Sequence, residues 1–285
     1  MLLLKISLAI FIAGNLFEMG LRLNLHDALK GLSNYKFVVY TLLWGFVLSP
    51  ALAYGITQII PLEYPYAIGL ILLGMSPCAP FLPMLLREKG DVGYTAAFML
   101  LASTGTVIFM PLIVPVMIKG LSVSVWEISK PLLTIILIPL VIGMLTLYYS
   151  KAKAVILQPV VKKVTILFAA LTLGLSAVVF AEGLTNISGG YVVAALITFF
   201  FILTTCTYWF GIGLKHDQKI VLSTGMTTRN LGAAVAPLFS VSNIDERTLV
   251  MIVLAAPVMI ITALVSSRLF SRSVKNRGQE ETLIA

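Results

Sequence analysis

Two long apolar segments of this chain contain residues that would break a membrane-spanning helix near its middle. The first segment carries three prolines within residues 74–83, and the second carries glycines, hydroxyl side chains and the charged Arg229 within residues 223–232. Backbone freed at membrane depth is stable only where it is buried in protein or lines a cavity. Interrupted spans in corresponding halves of a chain are typical of transporter binding sites. The two interruptions therefore predict a functional centre inside a membrane.

The composition places the chain among multi-pass membrane proteins. Of its 285 residues, 59% are hydrophobic and 11% are charged, whereas soluble domains have about 25% charged residues. A net charge of +8 could indicate nucleic-acid binding, but the basic residues lie in short loops between apolar spans, as the positive-inside rule requires. We expect an all-α polytopic membrane protein that has the lipid bilayer as its surroundings and no nucleic acid as a partner.

A helix needs about 20 apolar residues to cross a membrane, and by this criterion the chain contains about nine spans. The predicted spans are residues 4–23, 37–60, 66–86, 92–118, 131–150, 160–181, 190–213, 219–241 and 247–270. We interpret residues 1–285 as one transporter domain, with a first repeat over about 1–118, a second over about 131–270 and a polar cytoplasmic tail without fixed structure over 271–285. The interrupted spans are the third and the eighth, which fits an inverted repeat if one helix is missing from the first unit.

The distribution of basic residues predicts the orientation. With the N-terminus outside and the C-terminus in the cytoplasm, most of the 20 Lys and Arg residues fall in inner loops, and Lys5, Lys119, Lys130 and Arg247 fall outside. This predicts a cell-membrane protein, and the short loops favour a bacterial inner membrane.

Arg229 is the candidate residue that most needs a physical explanation, because placing a charge at the bilayer centre costs at least about 2.5–3.5 kcal/mol of free energy. One interpretation is a cation that attracts an anionic substrate, since a guanidinium matches a carboxylate in two-point geometry. The alternatives are a buried ion pair, for instance with Glu18, or capping of the carbonyls freed by a broken helix. Glu18 itself stands four residues before Arg22, a spacing that suits a pair within one helix.

Hydroxyl and amide side chains cluster around the interruptions and have two readings of equal weight: ligands for substrate or sodium, or ordinary hydrogen bonds between membrane helices. The predicted substrate-binding residues are Arg229, Asn230, Thr228, Thr227 and Ser76. The predicted ion-binding residues are Thr95, Ser223, Thr224 and Thr227. The chain has no nucleotide-binding or paired-acid motif, so we expect neither an enzyme nor catalytic residues, and no cofactor or metal beyond a sodium ion.

Three motifs in order make the chain similar to the bile acid:sodium symporter family. Residues 15–23 resemble the family's "MFGMGL" span, residues 76–90 resemble its "CPGG…N…ARG" segment, and residues 218–234 resemble its "QK…EVGMQNSGLAAA" segment. The resemblance implies a ten-helix plan with a panel and a core domain, in which two broken helices cross and substrate binds in the cleft beside them. It implies sodium-driven transport of organic anions, and it places the start of this chain at the family's second helix.

The chain departs from the family where sodium would bind. The resemblance places Ser223 at the family's acidic sodium ligand, Thr227 at its glutamine, Leu82 at its asparagine and Met99 at one hydroxyl ligand, while Thr95 keeps another. Arg229 stands where the family has a small residue. We hypothesise that the guanidinium replaces a bound cation and that the protein is weakly coupled to sodium or not coupled at all.

The sequence therefore predicts a secondary transporter of a small organic anion that works by alternating access. Two alternatives stay open: an ordinary sodium symporter that uses backbone oxygens, and a sensor-like protein that keeps the fold without transport.

Overall fold

The computed structural model of the protein describes residues 2–86, 90–118, 124–179, 191–240 and 245–284, and within them every regular element is a helix. The elements are α1 Leu2–Arg22, α2 Leu25–Leu32, α3 Tyr35–Ile59, α4 Tyr64–Gly74, α5 Leu82–Leu86, α6 Val92–Met117, α7 Val125–Tyr149, α8 Lys151–Val179, α9 Tyr191–Trp209, α10 His216–Thr227, α11 Leu231–Val235 and α12 Glu246–Ile284. A short 3₁₀ segment, Ala236–Ser240, follows α11.

Six of these helices are long and apolar enough to cross a membrane: α3, α6, α7, α8, α9 and α12 over its part Glu246–Phe270. The pair formed by α1 and α2, which are bent by 83° relative to one another, would make a seventh. The predicted all-helical membrane architecture is confirmed. The count of nine spans and the inverted repeat stay predictions, because the interrupted segments divide into helices too short to cross a membrane alone.

Two of the long helices contain a widened turn just before a proline. The π-turn Trp44–Leu48 of α3 precedes Pro50, and the π-turn Leu132–Leu137 of α7 precedes Pro139. A proline lacks the backbone N–H and its ring crowds the carbonyl four residues earlier. The extra residue in the preceding turn relieves that crowding and keeps each helix continuous. In α3 the turn places Ser49 at the start of the following helical segment.

The helices pack as two neighbouring groups. One group consists of α1 with α7 and α8, and the other joins α4 to α12 and α9 to both α10 and α12. Large aromatic side chains are fully buried in the core, among them Phe37 of α3, Phe98 of α6, and Phe199 and Phe200 of α9.

The C-terminal region differs from the expectation for residues 271–285. The sequence predicts a polar tail without fixed structure, but α12 continues to Ile284. The physical reason is that no proline follows Pro257, while good helix formers such as Arg, Lys, Gln, Glu and Leu dominate the remaining residues. The assignment of this segment to the cytoplasm stays a prediction.

Close packing of α1 on α7 depends on facing glycines. A Cβ built on Gly20 would collide with the Leu140 carbonyl oxygen and lie 2.9 Å from the Gly143 Cα. We predict that Gly20→Ala destabilises the protein by about 1–3 kcal/mol, because the helices must separate. Gly55→Ala is the matched control, since a Cβ on Gly55 in α3 meets nothing within 4 Å and gains helix propensity. Thermal unfolding of both variants in detergent checks this, and equal melting temperatures would contradict it.

Candidate functional site

The two interruptions lie against each other. The chain leaves α4 at Gly74 and enters α5 at Leu82, and it leaves α10 at Thr227 and enters α11 at Leu231. Between them runs a short antiparallel bridge, in which the Cys78 N–H donates to the Thr228 carbonyl (2.8 Å) and the Asn230 N–H donates to the Ser76 carbonyl (2.9 Å). Each break thus satisfies backbone groups that the other has freed, which is how both can exist away from water.

The polar side chains of the breaks cap the ends of these half-helices. Asn230 accepts a hydrogen bond from the Ala233 N–H (3.1 Å), Thr228 donates to the Gly225 carbonyl (3.0 Å), and Ser76 donates to the Leu73 carbonyl (3.1 Å). The structure therefore brings Ser76, Thr228 and Asn230 together, as predicted for substrate-binding residues, but uses their side chains for capping. Their predicted role in substrate binding stays a prediction.

Arg229 lies in the interior with 1% of its surface exposed. Its Nη2 donates to the Ser49 Oγ (2.7 Å) and its Nη1 to the Gly74 carbonyl (3.3 Å), while Ser49 donates to the same carbonyl (2.8 Å). The guanidinium carbon lies 5.3 Å from the centre of the Phe199 ring. The positive charge thus sits at the carboxyl end of α4, where the helix dipole favours a cation.

Of the alternatives left open for Arg229, the geometry favours the capping of carbonyls at a broken helix. Glu18 bonds to Arg22 at 2.6 Å, so the pair within α1 is present and the suggested ion pair between Glu18 and Arg229 is wrong. No acidic side chain pairs with Arg229 among the described residues. Its Nε is buried and, in the same described regions, has no hydrogen-bond acceptor. The described groups that contact this guanidinium are all neutral.

The predicted ion ligands do not form one cluster. Ser223 donates to the Thr204 carbonyl (2.8 Å), and the Thr227 and Thr204 hydroxyls lie 2.6 Å apart. The Thr224 hydroxyl is buried and lacks a partner among the described residues. Thr95 belongs to the first turn of α6, donates to the Asp91 carbonyl (2.7 Å), and lines a separate cavity of about 110 Å³. Within the described parts of the chain, no three His, Cys, Asp or Glu residues could hold a metal.

An apolar cavity of about 200 Å³ lies beside the second break. It separates α1 and α8 on one side from α11 and α12 on the other. Phe81, the last residue of the first break, and Leu231, the first residue after the second break, also line it. Met259 of α12 connects the cavity to the second break. Its side chain lines the cavity, and its sulfur accepts a hydrogen bond from the Arg229 backbone N–H (2.8 Å). Arg229 therefore lies close to the cavity without forming its wall.

Sequence reasoning missed Ser49, Thr204 and Met259. Ser49 precedes a proline inside an apolar span, and Thr204 is a hydroxyl inside another, so each gave a weak signal. A methionine in an apolar helix gives none. The contacts of all three depend on which helices become neighbours, and one sequence does not contain that information.

The first break contains a strained residue. Cys78 has φ +73°, in the left-handed region that costs a residue with a Cβ about 1–2 kcal/mol. We predict that Cys78→Gly melts about 2–4 °C above Cys78→Ala. Cys206 in α9 is the control, because Gly in a helix interior is worse than Ala and the order should reverse. Thermal unfolding of the four variants checks this, and the same order at both sites would contradict it.

Two comparisons with known proteins identify the class of protein to which the chain is similar. The Probable sodium/metabolite cotransporter BASS3, chloroplastic, of Arabidopsis thaliana is 26% identical over 159 residues, which are 53% of this chain and 37% of that protein. The chain thus matches little more than a third of the length of that relative. The model of the Sodium Bile acid symporter family matches residues 9–189. Since this match covers more than half of the 285 residues, the chain belongs to that family of membrane transporters.

Proposed function

We propose that the protein is a secondary transporter that carries a small organic anion across the membrane by alternating access. Membership of a transporter family and the name of the Arabidopsis thaliana relative, a probable sodium/metabolite cotransporter, support the transport of a small molecule. The cavity between the α1–α8 group and the helices that follow the breaks supports a pathway at that boundary, because movement of one group against the other would open it.

One observation carries the choice of an anion: the buried guanidinium of Arg229 has no acidic partner among the described residues. An uncompensated charge in a poorly polarisable interior creates a positive potential around it. At an effective dielectric constant of about 20, an anion some 8 Å away gains on the order of 2 kcal/mol. Arg229 would thus attract an anion into the neighbouring cavity without touching it.

The same charge opposes the binding of a cation nearby. The predicted sodium ligands Ser223 and Thr227 are bonded to Thr204 and to main-chain oxygens, and Thr95 lies at another cavity. We therefore propose transport that is weakly coupled to sodium or uncoupled from it. The unpartnered Thr224 hydroxyl favours the second candidate, an ordinary sodium symporter, because that oxygen could serve as an ion ligand.

A thermal-shift screen of purified protein against mono- and dicarboxylates, in choline chloride, tests the choice of anion. A ligand that binds the native state raises its apparent stability by mass action. We expect a carboxylate to stabilise the wild type and to stabilise Arg229→Met much less. Lys153→Met is the control, because Lys153 is an exposed cation of α8, and its shift should equal that of the wild type. Equal shifts in all three proteins would contradict a role for Arg229 in attracting the anion.

Uptake of the stabilising carboxylate into proteoliposomes, with sodium replaced by choline outside, tests the coupling. We expect the initial rate to change by less than about twofold. Stimulation of about tenfold by sodium, equivalent to about 1.4 kcal/mol of coupling, would contradict the proposal and support the ordinary symporter. Binding of the carboxylate without any uptake would support a sensor instead of a transporter.

A further inference from the structure

The head of the Arg229 side chain occupies a small seat that three helices build. The seat consists of the Ser49 hydroxyl on α3, the Gly74 carbonyl at the end of α4 and the ring of Phe199 on α9. We infer that this seat is a binding site for a planar organic cation, occupied in the native protein by its own tethered guanidinium. The existence of this binding site does not depend on the proposed function. Only its consequence for ion coupling rests on the proposal that the protein is a transporter.

The hydrogen bonds of the seat select a donor that carries positive charge. Ser49 uses its hydroxyl proton on the Gly74 carbonyl (2.8 Å), so only oxygen lone pairs remain to face Arg229. Both oxygens then accept from the guanidinium, at 2.7 and 3.3 Å. Two acceptors side by side match the fork of N–H donors on a guanidinium edge. The aromatic ring at 5.3 Å adds a cation–π contact.

The fold holds the two oxygens together independently of Arg229. The π-turn of α3 ends at Leu48, immediately before Ser49, and the Gly74 carbonyl at the end of α4 accepts a hydrogen bond from the Ser49 hydroxyl. A Cβ on Gly74 would lie 3.0 Å from the Ala53 Cβ and 3.2 Å from the Pro50 Cα. A side chain at this position would force its neighbours to shift, so glycine favours the close approach of α4 to α3 that brings the Gly74 carbonyl within reach of Ser49. The seat is therefore preorganised by helix packing.

A bare metal ion fits this seat poorly. Two oxygens and a ring leave most of the coordination shell of a hard cation empty, since hard cations such as Ca²⁺ and Mg²⁺ take about six or more oxygen ligands in proteins. A guanidinium spreads its charge over a plane, is weakly hydrated, and tolerates stacking on an aromatic ring. The seat thus favours an organic cation over sodium.

A tethered cation makes Arg229 a positioning residue that does not leave during a transport cycle. Its backbone belongs to the bridge between the breaks, and its side chain holds the end of α4 to α3. If a dissolved ion occupied this seat, the fraction of protein molecules with a filled seat would vary with the ion concentration. Here the occupancy is fixed, so the conformation of the two breaks should not respond to dissolved cations.

Chemical rescue tests the seat without a transport assay. Arg229→Ala empties the seat, leaves the Ser49 oxygen without a donor and removes one of the two donors to the Gly74 carbonyl, which lowers the melting temperature. We expect about 10–50 mM methylguanidinium chloride to raise the melting temperature of this variant by about 2–4 °C relative to choline chloride. The wild type, whose seat is filled, should show no such rise. Arg229→Met is the matched control, because its side chain has similar reach, fills the space and offers no charge, and it should also show no rise.

Several results would overturn the inference. A folded Arg229→Ala variant that methylguanidinium does not stabilise has no such seat. Equal stabilisation of Arg229→Ala and Arg229→Met would indicate a general effect of the salt. Stabilisation of Arg229→Ala by sodium chloride as strong as that by methylguanidinium would indicate a metal site. None of these results bears on whether an anion binds or is transported, so failure here is distinguishable from failure of the proposed function.

If Arg229→Ala does not fold, a double-mutant cycle replaces the rescue. Ser49→Ala alone, Arg229→Lys alone and the two together are compared by melting temperature. A seat that binds the guanidinium through Ser49 predicts that Ser49→Ala costs less when Lys already replaces Arg229, because the two-point contact is then already lost. Strictly additive shifts would overturn the inference.

Discussion

The backbone pairing between the two breaks is the constraint on which the rest of the centre depends. A helix interrupted at membrane depth leaves N–H and C=O groups that neither lipid nor water satisfies. Here the interruption after α4 and the interruption after α10 supply partners to one another through Cys78, Thr228, Asn230 and Ser76. Neither break is stable without the other, so helices distant in the sequence must pack together before either half-helix can end.

That pairing also determines the position of Arg229. Its backbone belongs to the bridge, so its side chain projects from the junction towards α3, α4 and α9. The cost of burying the guanidinium is offset by the carboxyl end of α4, by Ser49 and by the Phe199 ring, and not by an ion pair in the described residues. A cation that is stabilised only by dipoles keeps its net charge and a positive potential around it. This potential links the architecture of the breaks to the chemistry proposed for the neighbouring cavity.

The polar side chains around the breaks have a dual character. Ser76, Thr228 and Asn230 cap half-helices, and Ser223, Thr204 and Thr227 join α10 to α9. Groups used in this way keep lone pairs and can exchange partners when helices move. The described arrangement shows these side chains as caps and interhelical bonds, and their role as ligands stays a prediction.

The sequence by itself determined the membrane-helical class, the places of both breaks, the pair of Glu18 with Arg22 and the family, because hydropathy, proline and i,i+4 spacing act locally along the chain. For residues 271–285 the polar composition suggested a tail without fixed structure, whereas α12 continues to Ile284, as the helix propensity of these residues favours. Only the tertiary structure decided that Arg229 bonds to Ser49 and Gly74 and does not pair with Glu18, that Thr95 lies apart from Ser223 and Thr227, and that Met259 lies between Arg229 and the cavity. Those contacts of Arg229 join residues 30 to 180 positions apart, and they follow from which helices become neighbours, a property of the whole packed chain.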